Sequence, residues 1–113
     1  MPKYLISFPS GEMDVADGEW EQVVEDAHQV MRDAKAAGVY VFAGGIEESV
    51  PPVRVHADRT VEPGTYPQTA RIEGGYAVLD LPDRETAQEW AARIAAACRC
   101  PQELREFQHD PES

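Results

Sequence analysis

The segment Thr60–Trp90, TVEPGTYPQTARIEGGYAVLDLPDRETAQEW, passes from turn chemistry through a strand to an amphipathic helix. Pro63, Gly64 and Pro67 mark successive turns, and Gly74-Gly75 opens the apolar run Tyr76–Leu81. Pro82-Asp83 then starts a helix with Asp83 as its cap, and Ala87, Trp90, Ala91, Ile94 and Cys98 recur at helical spacing until Pro101 stops the pattern. The same order of elements stands earlier in the chain. Tyr4, Ile6 and Phe8 alternate with Leu5 and Ser7 as in a strand, which Pro9-Ser10-Gly11 ends. Asp14 or Asp17 can cap the next helix, whose stripe is Trp20, Val23, Val24, Ala27, Met31 and Ala34, with Gly38 at its end. Val39–Ala43 reads as a buried strand closed by Gly44-Gly45.

Periodicity is lost between these halves, from Glu47 to Arg71, where Val53–His56 and Thr60-Val61 suit a small hairpin turning at Ala57-Asp58-Arg59. A last strand fits Glu103–Gln108, followed by a frayed tail. The order predicts an α+β fold of ferredoxin-like βαββαβ type with a hairpin insertion, in one domain over residues 1–113. Its four-stranded antiparallel sheet carries both helices on one face. The other face then lacks a cover, and Tyr4, Ile6, Phe8, Tyr76 and Val78 are too apolar to leave the sheet wet. A homodimer packed sheet to sheet is therefore expected.

Charge narrows the partners. A formal net charge of −11 repels phosphate backbones and anionic headgroups, and the ten Lys and Arg are scattered rather than massed, so neither nucleic acid nor membrane is an expected partner. Met1-Pro2-Lys3 leads straight into a strand-like run, without signal-peptide or spanning-helix character, and a cytoplasmic location is expected. Cys98 and Cys100 sit too close for a fold-stapling disulfide and lack a second ligand pair for zinc, which predicts two reduced thiols. Gly44-Gly45 and Gly74-Gly75 are isolated pairs, better suited to close backbone approach or bulges than to cradling phosphate. No cofactor and no metal site is expected.

Several further features together resemble the YCII-related family, also called DGPF-domain proteins. They are Ala27-His28-Gln29-Val30-Met31 running to Ala36-Ala37-Gly38, the pair Gly44-Gly45, Gly74-Gly75-Tyr76, and the helix segment Glu89–Ile94. The resemblance covers nearly the whole chain and implies a dimeric α/β barrel. The family's naming segment, Asp-Gly-Pro-Phe-Ala-Glu-Thr-Lys, falls at Pro63–Ala70, where only Gly64 and Thr69 are unchanged and Tyr66 is a close substitute. The carboxylates expected at positions 63 and 68 and the cation expected at 70 are absent. Any activity built on those charges does not carry over.

His28 is the candidate catalytic residue. It lies beside the apolar stripe of the first helix, so its ring can reach a pocket edge from a rigid backbone, and imidazole exchanges protons near neutrality. A boundary histidine that only hydrogen-bonds is the competing reading. Glu62, Asp58 and Asp80 are candidate orienting acceptors, though no spacing singles one out. Ser7 and Tyr76 can offer hydroxyls to a ligand, and Arg54 or Arg71 can clamp a carboxylate, against core packing and surface solvation respectively. Two functions follow. One is a small enzyme moving a proton on a small, partly aromatic or carboxylate-bearing molecule between helix and sheet. The other is a non-catalytic dimeric module for a ligand or a protein partner.

Overall fold

The computed structural model describes all 113 residues. Strand β1 (Lys3–Pro9) leads to helix α1 (Trp20–Ala36) and strand β2 (Tyr40–Gly45). A hairpin of β3 (Val53–Val55) and β4 (Val61–Pro63) follows, then β5 (Gly74–Asp80), α2 (Arg84–Cys98) and β6 (Glu103–Glu106). The main sheet has the order β2-β5-β1-β6 with every pairing antiparallel, which is the ferredoxin-like arrangement expected from the two βαβ halves. The hairpin forms its own small sheet, with Val53 opposite Pro63 and Val55 opposite Val61.

Strand alternation sorts the side chains by face. Tyr4, Ile6, Ala77 and Leu79 turn toward the helices and are buried with Ala34, Leu81, Ala87, Ala91 and Ile94, while Phe8, Tyr40, Ala43 and Leu104 pack at the margin of this core. The other face is built in rows across the strands: Phe42, Val78, Leu5 and Arg105 in one, Gly44, Tyr76, Ser7 and Glu103 in the next. The apolar residues of the uncovered face are therefore Leu5, Phe42, Tyr76 and Val78, whereas Tyr4, Ile6 and Phe8 belong to the core. No helix covers this face.

Both helices have identifiable ends. Asp83 Oδ1 accepts from Thr86 N at 2.8 Å, as its cap position requires, and this contact holds the carboxyl below its ordinary pKa. Arg99, left-handed at φ 62°, ends α2; its guanidinium donates to Ala96 O and Ala97 O and pairs with Asp26 of α1 at 3.0 Å. Arg93 of α2 pairs with Asp33 of α1. The start of α1 differs from expectation: neither Asp14 nor Asp17 caps it, and Glu19 holds that position without a side-chain bond. Its buried stripe is Val23, Val30 and Ala34, with Trp20 56% exposed in the first turn and Val24 half exposed on the neighbouring flank. Trp90 is half-buried, packed on the core with the Arg93 guanidinium over its ring.

Two further expectations need correction. The second strand is an edge strand pairing only with β5, with its register shifted between Tyr40 and Phe42, so Val41 and Phe42 stand in solvent rather than in a buried strand. Apolar composition marked it as a strand but not its place in the sheet. The last strand is shorter than expected, ending at Glu106.

Candidate functional site

An apolar concavity lies under α1, and glycines make room for it. Gly45 and Gly75 pair across β2 and β5 near one end of the sheet, where neither offers a side chain. The Phe8 ring lies over Gly75 so closely that a Cβ there would come within 2.5 Å of it. Gly74 has φ 139°, and a Cβ on it would stand 1.9 Å from the Phe8 carbonyl oxygen, so this pair serves close backbone approach. Above this floor the small core residues Ala43, Ala77 and Ala97 leave a cavity of ≈ 360 Å³. The α1 residues Ala27, His28, Val30, Met31 and Lys35 form its roof, while Ile94 and Cys98 of α2, with Gln102, form its end wall. Such a volume accommodates a small organic molecule.

His28 lies on the exposed rim of this cavity. No carboxylate reaches it. Glu62 instead meets His56 Nε2 at 2.5 Å within the hairpin, with Arg54 at 3.8 Å from the same carboxylate oxygen. Asp58 accepts from Thr60 N at 2.9 Å in the hairpin turn, and the Thr60 side chain first and then this N–H depress its pKa, while Asp80 lies 3.2 Å from Lys3 Nζ. The three proposed acceptors are thus committed elsewhere.

The other candidates are dispersed. Tyr76 borders the cavity, but strand alternation sends its ring to the uncovered face, where its hydroxyl donates to Ile72 O at 2.5 Å and partial burial raises its pKa. Ser7 is buried on that same face beside Tyr76. Arg54 belongs to the hairpin, its guanidinium 5.6 Å from the Tyr66 ring centre, and Arg71 is exposed in the following loop. No three His, Cys, Asp or Glu side chains gather in metal-binding geometry.

Sequence reading missed Lys35, Met31, Tyr40 and Gln102 as cavity residues. His28, Met31 and Lys35 share the spacing i, i+3, i+7, so a stripe drawn through His28 would have found two of them. Lys35 Nζ stands 4.7 Å from the Tyr40 ring centre, and the Tyr40 hydroxyl accepts from Ala43 N at 3.1 Å. Gln102 donates through Nε2 to Cys100 O at 3.3 Å, but its buried Oε1 has no partner. Cys98 is a buried free thiol whose pKa rises to about 11, chiefly by burial and then by the neighbouring Cys100.

The YCII-related domain matches residues 4–99, from the first strand to the end of α2. The chain belongs to the YCII-related family. No curated protein matches it. What this YCII-related chain keeps of the naming segment has backbone work: Gly64 takes φ 91° where β4 ends, and Thr69 closes the short turn over Pro67–Thr69 by donating N–H to Tyr66 O at 3.1 Å. Of the positions where the resemblance leads one to expect charges, Pro63 ends β4 and Gln68 and Ala70 lie at the short turn that follows, while His28 stands on the helix over the cavity. No helix is long and apolar enough to cross a membrane.

Proposed function

We propose that this protein is a homodimer that binds a small organic molecule in the cavity beneath α1 and exchanges a proton with it through His28. The observation that carries the reading is the cavity itself: an apolar, glycine-floored space with an imidazole on its rim. The unpaired Gln102 Oε1 in its wall supports a ligand site, because a buried acceptor without a donor costs stability that a bound molecule or water recovers. With no carboxylate behind it, His28 has its orientation set by α1 and by the ligand, not by a preformed dyad.

The homodimer rests on surface area. The chain exposes 7997 Å², whereas a folded monomer of its 12.5 kDa exposes about 6,200 Å². The excess of roughly 1,800 Å² per chain is what one partner of an obligate homodimer covers. The uncovered sheet face with Phe42, Val78 and Leu5 is its natural seat.

The absent dyad and the altered naming segment favour a second reading, in which the same cavity binds without catalysis. His28→Gln separates the two. Proton exchange predicts that the variant keeps its melting temperature and dimer and still binds ligand, but loses turnover. A variant that loses stability together with binding would make His28 structural, unchanged turnover would remove His28 from the chemistry, and ligand binding with no turnover in the unaltered protein would leave the binding module.

A further inference from the structure

We infer that the cavity under α1 selects a planar aromatic anion, a carboxylate-bearing ring system, with Lys35 as the residue that reads its charge. This deepens the proposed function and rests on the cavity being a ligand site. The first argument is a distribution of charge. Of the 113 residues 21 are Asp or Glu, yet none of the 18 residues lining the cavity is one. The charged or protonatable nitrogens at its wall are those of Lys35 and His28, two helical turns apart on one flank of α1. A chain of net charge −11 repels anions at long range, so this acid-free patch is where one can approach.

The second argument is that Lys35 is uncommitted. Lys35 has no ion pair, as is also true of Arg59, Arg71 and Arg84, but of these four it alone lines the cavity, where it rests on the face of Tyr40. An ammonium held over an aromatic ring keeps its charge available to a ligand carboxylate. The third argument is shape. Phe8 packs closely over Gly75, and Tyr40 and Met31 also line the space, which suits an aromatic ring packed between sheet and helix. A lysine in the last turn of α1 is also favoured by the helix dipole alone, and that role makes no distinction between charged and neutral ligands.

Two probes of equal shape, 2-naphthoate and 2-naphthamide, test the inference by titration calorimetry, with methyl and ring NMR shifts of Ala27, Met31 and Tyr40 locating the bound molecule. The protein should bind naphthoate about tenfold more tightly than the amide, as one charge-assisted contact at a partly open site provides. Lys35→Gln should remove that preference and leave the amide unchanged, and Lys35→Arg should restore it. Equal affinities in the unaltered protein, or a preference that survives Lys35→Gln, would overturn the anion assignment while leaving the cavity a ligand site. Failure of both probes to shift the cavity resonances at millimolar concentration would remove the ligand site as well.

Discussion

Replacing Val78 with glutamate should convert the proposed dimer into a monomer. Val78 stands mid-row on the uncovered face, opposite Leu5 on one side and Phe42 on the other, with Phe42 57% exposed in the single chain. Packing a second copy there finishes the burial of each valine, worth about 1 kcal/mol for a side chain already half covered. A carboxylate excluded from water without a partner costs about 3 kcal/mol more, and two-fold symmetry repeats both terms in the other subunit. The sum, about 8 kcal/mol, raises the dissociation constant by a factor on the order of 10⁵ to 10⁶. Sedimentation velocity at micromolar concentration reads this directly, and far-UV circular dichroism verifies that the variant chain remains folded. The reasoning fails if the unaltered protein sediments as a monomer, or if Val78→Glu sediments as a dimer.

Gly74→Ala should destabilise the fold by about 3 kcal/mol or more, because the new Cβ meets both an unfavourable φ and the Phe8 carbonyl at 1.9 Å; a melting temperature within a degree of the original would show that β1 and β5 yield there. Cys98 should react slowly with thiol reagents at pH 8, and more slowly still with the cavity occupied. Its raised pKa contributes stability that is present in full below its ordinary value of 9.0 and is lost as pH rises toward about 11. Alkaline melts of Cys98→Ser should therefore lack part of the decline, and rapid labelling of the folded protein would contradict the burial of this thiol.

The fold was legible because each element carried its own local signal. Period-two alternation marked β1, Asp83 and its stripe marked α2, and the turn residues around Asp58 marked the hairpin. What local signals lack is the identity of the neighbour across the sheet. Val39–Ala43 looked buried because its residues are apolar, but burial depends on strand order, and this strand lies at an edge. The same limit applied to charges. Glu62 was a sensible acceptor for a histidine, and it serves one, but hairpin register joins it to His56 rather than to His28. Lys35 left no mark because one lysine near a helix end is ordinary; only the fold shows that the cavity beneath it contains no acid.

The proposed ligand site and the proposed dimer seat occupy opposite faces of one strand. Along β5, Gly75 and Ala77 form the cavity floor while Tyr76 and Val78 form the uncovered face. Alternation isolates the two sets sterically but not mechanically, since β2 joins the sheet only through β5 and holds Tyr40 on one side and Phe42 on the other. Covering Phe42 with a second subunit would fix β2, and with it the aromatic wall against which Lys35 rests. An edge strand without that cover is freer to move. Val78→Glu should therefore weaken binding of an aromatic anion several-fold without touching any cavity side chain, and the loss should appear mainly as faster dissociation. Identical naphthoate affinity in monomer and dimer would show instead that β5 alone holds the cavity in shape.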